Sequence, residues 1–341
     1  MGTRKRRVSV NQSRSKLDKW DDLGMKIIAN CTNADVQRAA KTLRDGHLVA
    51  FPTETVYGLG ADATNQEAVG KIYSAKARPL GHPVIVHISS INKIGHWAEE
   101  IPEYAKSLAV KFWPGPMTLI LKRSELAKDF ITGGQNFVGL RVPSNPLSLA
   151  LLKEFELIGG QGIAAPSANR FGAVSPTSAE AVVDELSTHL SADDLILDDG
   201  MCSIGIESTI IDCTQTLPRI IRPGGVKQED ISEITELAQS RETLGSKMKA
   251  PGELLSHYSP KAKVSIGDFA GPGEGFLAFQ QMPTPPGAIR LASPTSITEY
   301  AKEFYQALRL ADRLNLARII VVPPENNGLG VAIRNRLEKM I

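Results

Sequence analysis

The chain has 341 residues, 42% of them hydrophobic, and a formal net charge of +2. That is enough apolar material for a sizeable core and enough length for two domains, while the near-neutral balance excludes a generic polyanion binder. The three cysteines, Cys31, Cys202 and Cys213, lack the paired spacing of a zinc site and the even number of a disulfide framework. No apolar run approaches the ~20 residues of a bilayer span, and the basic start is not followed by a hydrophobic signal region. A soluble protein of the reducing cytoplasm, with no membrane partner, is expected.

Residues 1–25 read as a flexible basic arm, because between Arg4 and Lys19 the cations Arg4, Lys5, Arg6, Arg7, Arg14, Lys16 and Lys19 face a single acid, Asp18, among serines and asparagines. Such an arm is either a solvated tail or a contact for RNA phosphates. From residue 26 to 230 helical and extended stretches alternate. Periodicity predicts a helix over 34–45, with Asn33 as its cap and Gly46 as its stop, and a strand over 47–51. The run Phe51-Pro52-Thr53-Glu54-Thr55-Val56-Tyr57-Gly58-Leu59-Gly60 then places hydroxyls and glycines at a strand end. A helix is predicted over 65–77 and an apolar strand over 83–88 that carries His87. Further strands are predicted at 117–121, 137–142, 162–165, 195–197, 209–213 and 220–222, with helices at 103–112, 146–155 and 178–186. Interleaving of this kind defines an α/β domain with helices on a twisted sheet. Residues 231–261 are polar and read as a linker ending in His257-Tyr258-Ser259-Pro260. Residues 262–341 read as a small second α/β domain, with strands at 264–266, 275–279, 288–291 and 318–322 and helices at 297–314 and 331–340.

Several chemistries lack their signatures. Gly58-Leu59-Gly60 and Gly328-Leu329-Gly330 both lack the third glycine of a dinucleotide fingerprint, and no G-x-x-x-x-G-K-[ST] phosphate loop, H-E-x-x-H pair or G-x-S-x-G elbow occurs. Polar residues instead gather at predicted element ends. Lys76 and Arg78 stand two apart, and Pro79 disfavours helix at Arg78, so both cations could face one pocket. Arg141 lies inside the apolar strand Val138-Gly139-Leu140-Arg141-Val142, where a charge needs a partner, either a ligand anion or an internal Asp or Glu. Ala165-Pro166-Ser167-Ala168-Asn169, Ser175-Pro176-Thr177, Ser208-Thr209 and Arg222-Pro223-Gly224-Gly225 add hydroxyl and backbone donors suited to an anion.

Taken together, these pieces resemble the YrdC family of threonylcarbamoyl-AMP synthases. The matching stretches are PTETVYGLG (52–60), KARP (76–79), PVIVHI (83–88), FWPGPMTLIL (112–121), GLRVP (139–143), APSAN (165–169), ESTIID (207–212) and IRPGG (221–225). HYSP and the C-terminal unit resemble the longer, two-domain branch. The resemblance implies a YrdC-like twisted open sheet with surrounding helices, plus a small Rossmann-like C-terminal domain. It also implies a nucleotidyltransferase reaction in which L-threonine, bicarbonate or CO2 and ATP give L-threonylcarbamoyladenylate and pyrophosphate. The product would pass to tRNA threonylcarbamoyltransferase proteins that modify the adenosine next to the anticodon of tRNAs reading codons that start with A. Position by position, Lys76, Arg78, Ser167 and Asn169 match the tetrad around the reacting groups. Thr55, His87, Arg141, Ala165 and Ser208 match threonine contacts, with Arg141 the partner of the amino-acid carboxylate. Arg78, His82, Phe137, Ser167, Ser175, Arg222 and Tyr258 match ATP contacts, Tyr258 closing over the pocket.

Two positions depart from the family pattern. His82 stands where asparagine is usual and can still donate a hydrogen bond; Phe137 stands where a small polar residue is usual, so a nucleotide contact there falls to its backbone or ring. Mg2+ is expected with the ATP, held by phosphate oxygens and water rather than by a protein-borne metal site. Two other readings compete: a double-stranded RNA or tRNA-binding module without catalysis, favoured by the basic arm and disfavoured by the low aromatic content, and carbamoyl transfer to another acceptor, as in YrdC-like modules of hydrogenase-maturation enzymes.

Overall fold

The computed structural model describes residues 26–238 and 258–341; the basic arm, and the part of the expected linker from 239 to 257 with His257, lie outside them. The first strands are β1 (Lys26–Ala29), β2 (Val49–Phe51), β3 (Gly58–Asp62), β4 (Ile85–His87) and β5 (Met117–Lys122). They are followed by β6 (Phe137–Arg141), β7 (Ile163–Ala164), β8 (Leu195–Asp198), β9 (Thr209–Asp212) and β10 (Arg219–Arg222). These make one mixed sheet in the order β1-β8-β2-β3-β7-β4-β6-β5-β9-β10. The order brings the ends of β4 and β6, parallel neighbours, side by side, with His87 registered on Arg141.

The longer helices are α1 (Asn33–Arg44), α2 (Gln66–Lys76), α3 (Glu103–Phe112), α4 (Pro146–Leu157) and α5 (Ala179–Leu186). Helix α1 is capped by Thr32, not by Asn33 as expected. The Thr32 hydroxyl accepts from the Asp35 backbone N–H at 3.3 Å while the Asp35 carboxylate accepts from the Thr32 N–H at 2.9 Å, a reciprocal capping box that leaves Asn33 as the first helical residue. The buried Val36, Ala39, Ala40 and Leu43 recur at helical spacing and face the sheet.

Two strands had no expectation attached to them, β1 and β3. In β3 the cause is Gly58 and Gly60, which the sequence presents as a turn. A Cβ on Gly60 would lie 2.8 Å from the Phe51 ring and from Ile163, so the glycine is there to let a strand pass against bulky neighbours. Its role is packing, not a phosphate-binding turn.

The second unit is a four-stranded sheet, β11 (Lys263–Ile266), β12 (Gly275–Leu277), β13 (Ile289–Ala292) and β14 (Arg318–Val321), in the order β11-β14-β12-β13. All its pairings are parallel, and helices α6 (Ile297–Arg313) and α7 (Leu329–Glu338) pack on it. A parallel sheet whose β13 and β14 are joined through α6 gives the small α/β layer expected of this segment. This unit does not stand free of the first. Val56, Val174 and Ile206 of the first unit share one buried apolar cluster with Tyr300, Phe304 and Tyr305 of α6. Gly205, at φ 83°, lets the first unit's backbone approach α6 so closely that a Cβ would fall 2.5 Å from the Lys302 Cα. Arg309 of α6 pairs with Glu185 at 3.0 Å across the same seam.

Candidate active site

Where β3, β4, β6 and β9 present their ends, the chain forms a cavity of about 60 Å³. One end of it is built around Arg141, the last residue of β6. Its guanidinium donates to Glu54 Oε1 at 2.7 Å and Thr55 Oγ1 at 2.9 Å, and both side chains of this ion pair are 5% exposed. The second Glu54 oxygen accepts from the Ser144 backbone N–H at 3.1 Å. The internal partner that Arg141 required is therefore Glu54. Because this pair occupies only one edge of the fork, Arg141 Nε, buried and without a partner among the described residues, is left for a ligand.

His87 ends β4 beside it. Burial and the neighbouring Arg141 charge push its pKa down to about 3, so the ring is neutral and offers a hydrogen bond rather than a charge. Its Nδ1 is buried with no partner among the described residues. Ala165, held by its N–H to the Ile85 carbonyl at 2.9 Å, and Ser208, whose hydroxyl meets that of Thr118 at 2.8 Å, complete this end. Thr55, His87, Arg141, Ala165 and Ser208 all line the one cavity.

Arg78 lines the other end. Helix α2 stops because Ala77 adopts a left-handed φ of 50° and the Arg78 N–H turns back to the Tyr73 carbonyl at 2.9 Å. The reversal thus lies one residue before the position that Pro79 implied. The Arg78 guanidinium donates to the Pro83 carbonyl at 3.0 Å and lies 5.8 Å from the Phe171 ring centre; its Nε is buried with no partner among the described residues. Lys76 takes a different direction. It is 2% exposed and its ammonium donates to the backbone carbonyls of Ser167 and Asn169, behind the cavity wall rather than in it. Burial, with Arg78 nearby, holds its pKa well below the usual lysine value.

Ser167 is in the wall. Asn169 is behind it, its amide donating to the Arg170 and Ala173 carbonyls at 2.7 and 2.8 Å. Arg222 closes β10 and donates through Nε and Nη2 to the Ser208 carbonyl at 3.2 and 2.9 Å. Tyr258, 2% exposed at φ 67°, also lines the cavity. Ser175 sits just outside and donates to Glu207 Oε1 at 2.6 Å. His82 is outside the wall, its ring 5.5 Å from that of Phe171. Phe137 begins the strand that Arg141 ends, roughly 13 Å away at the rise of a β-strand, and packs with Ile120 and Ile210. The structure therefore brings the amino-acid-end residues together with Arg78, Ser167, Arg222 and Tyr258, and leaves Phe137 at the far end of β6.

Glu54, Glu207 and Arg336 were not among the expected site residues. Glu54 could have been found by asking which acid neutralises Arg141, and Glu207 by the same question of Arg222. Arg336 stands on the apolar stripe Leu329, Ala332, Ile333, Leu337 of α7, where a charge has no solvent to face.

The two closing turns touch directly. A Cβ on Gly224 would lie 2.4 Å from backbone atoms of Glu207, Ser208 and Thr209. Gly224→Ala is expected to push this contact apart, costing about 1–3 kcal/mol and withdrawing Arg222 from Ser208; an unaltered melting temperature together with an unaltered ATP affinity would refute it.

A mixed sheet whose strand ends build a cation-rich cavity, packed against a parallel-sheet unit, defines a two-unit α/β enzyme of YrdC-like architecture. Residues 41–224 match the Sua5/YciO/YrdC family model described as "Telomere recombination", and residues 226–340 match the "Threonylcarbamoyl-AMP synthase, C-terminal domain". The chain belongs to the Sua5/YrdC family of threonylcarbamoyl-AMP synthases. It is 39% identical over 325 residues to the threonylcarbamoyl-AMP synthase of Pyrococcus abyssi, covering 89% of this chain and 93% of that protein. The Bacillus subtilis threonylcarbamoyl-AMP synthase is 37% identical over 325 residues, with 89% and 92% covered. The crystal structure of Pyrococcus abyssi Sua5 complexed with L-threonine superposes with a TM-score of 0.81 at 35% identity, covering 92% of this chain and 96% of that one. No described helix is long and apolar enough to cross a membrane.

Proposed function

We propose that the enzyme condenses L-threonine, bicarbonate or CO2 and ATP into L-threonylcarbamoyladenylate, releasing pyrophosphate. The observation that carries this reading is the single cavity whose two ends differ in chemistry. At one end a half-used guanidinium, Arg141, stands with the neutral His87 and the hydroxyls of Thr55 and Ser208; at the other stand Arg78, Ser167 and Arg222. Arg141 Nε takes the threonine carboxylate, which leaves the amine free to accept the one-carbon unit. The resulting carbamate oxygen attacks the α-phosphorus in line, the bond to the β-phosphate oxygen breaks, and pyrophosphate leaves. Arg78 and Arg222 balance the charge that gathers on phosphate oxygens, and no covalent nucleophile is needed. Lys76 acts from behind, fixing the Ser167 and Asn169 turn, and Tyr258 closes the cavity. Ser175 serves the nucleotide, with His82 and the Phe137 backbone or ring at the outer contacts.

Among the described residues no group of three or more His, Cys, Asp or Glu side chains is placed to hold a metal ion. Mg2+ enters this reading as the companion of ATP, ligated by phosphates and water. The domain limits that go with it are a catalytic unit over 26–230, a linker over 231–261 and a C-terminal unit over 262–341. The labile mixed anhydride is passed in the cytoplasm to tRNA threonylcarbamoyltransferase proteins for the modification beside the anticodon. Pyrophosphate release, measured with each substrate omitted in turn, tests the whole. Release that requires threonine, bicarbonate and ATP together is expected; tight, salt-sensitive tRNA binding without such release would select the RNA-binding module instead.

A further inference from the structure

Glu207 raises a difficulty for any polyphosphate site. It lies in the cavity wall beside Ser208 and Arg222, buried, and a bare carboxylate there would repel the triphosphate. Arg222 supplies part of the balancing charge, and the second unit supplies the directly bonded part. Arg336 of α7, fully buried, donates through Nε to Glu207 Oε2 at 3.0 Å. The Tyr305 hydroxyl of α6 donates to the same carboxylate at 2.9 Å, and Ser175 at 2.6 Å. Arg336 reaches two further pieces of the same end: its Nη1 donates to the Pro223 carbonyl, next to Arg222, and its guanidinium lies 5.6 Å from the Tyr258 ring centre.

We propose that Arg336 is a positioning residue for the nucleotide end of the cavity. By cancelling the Glu207 charge and joining Glu207, the Pro223 turn and Tyr258, it makes the second unit part of the ATP site. The inference rests on the reading of Ser175, Arg222 and Tyr258 as nucleotide residues. Burial alone would raise the Glu207 pKa, but Arg336 and Arg222 bring it to about 2, so the carboxylate is ionised whenever ATP binds and needs its counter-charge throughout. Among the described residues Arg336 has no hydrogen bond or ion pair with Arg141 or Glu54, on which the amino-acid end is built.

The test compares full-length wild type, Arg336→Met, Arg336→Lys and the double variant Arg336→Met with Glu207→Gln. ATP affinity is measured by calorimetry without threonine, and both Michaelis constants by pyrophosphate release. Arg336→Met is expected to weaken ATP at least ten-fold while the threonine KM stays within two-fold. The double variant, with neither charge, recovers most of the loss, and Arg336→Lys falls between. ATP affinity unchanged in Arg336→Met, or ATP and threonine weakened alike with no recovery in the double variant, overturns the proposal. Should Arg336→Met not fold, the lysine and double variants carry the same comparison, an unrecovered ATP affinity in the folded double variant counting against it. Wild type that binds ATP but shows no threonine-dependent release defeats the functional reading and leaves the calorimetric test of Arg336 intact.

Discussion

Arg78→Ala is expected to lower threonine-dependent pyrophosphate release by ~10²–10³, the usual cost of removing one preorganised donor from developing oxygen charge. Folding survives the change. The side chain makes one hydrogen bond, to the Pro83 carbonyl, and one ring contact, with Phe171, together worth about 1–2 kcal/mol. Lys76→Ala should also abolish release, for a different reason. Its ammonium satisfies the half-buried Ser167 and the buried Asn169 carbonyls, and losing it strands the buried Asn169 acceptor at about 1–3 kcal/mol. The pair is thus separable by measuring melting temperature alongside activity: the Lys76 variant loses both, the Arg78 variant chiefly activity. Normal release from a folded Arg78→Ala protein would remove Arg78 from the chemistry. Equal and small losses of melting temperature in the two variants would remove Lys76 from its supporting place.

That separation was not legible in the sequence. Two cations two residues apart, followed by proline, suggest a shared pocket. With Ala77 left-handed, Arg78 lines the cavity and Lys76 lies behind its wall, and a local pattern carries no signal for a backbone torsion of this kind when the residue is not glycine. Elements with strong periodicity were legible: α2, β4, β6 and α6 lie close to where spacing places them. The cause is that α2 and α6 bury one face at helical spacing, while β4 and β6 are short apolar runs buried on both faces. Strand β3 was hidden because its glycines answer to Phe51 and Ile163 across the sheet. At Arg141 the need for a partner was visible from a guanidinium in an apolar strand, while the identity of Glu54, 87 residues away, was set by the strand order. A still longer separation in sequence hid Arg336, 129 residues from Glu207.

Arg141→Ala is expected to raise the threonine KM by about 10²-fold, as loss of a charge-assisted carboxylate contact implies, and to lower the melting temperature. The second effect follows from Glu54. With Arg141 gone, its carboxylate, 5% exposed in the native chain, keeps among the described residues the Ser144 N–H alone, and breaking a buried pair from one side costs about 3–5 kcal/mol. At ~2–4 °C per kcal/mol for a large domain, the fall is on the order of 10 °C. The two effects have different origins and can be pulled apart. Replacing both partners, Arg141→Met with Glu54→Gln, removes the stranded charge and should return most of the melting temperature. It should not return threonine affinity, because the donor to the substrate carboxylate is still missing. Recovery of both would mean that Arg141 only neutralises Glu54; an unchanged threonine dependence in folded Arg141→Ala would place the amino acid elsewhere. The ATP KM serves as the internal control, since Arg78 and Arg222 at the other end of the cavity are untouched by either variant.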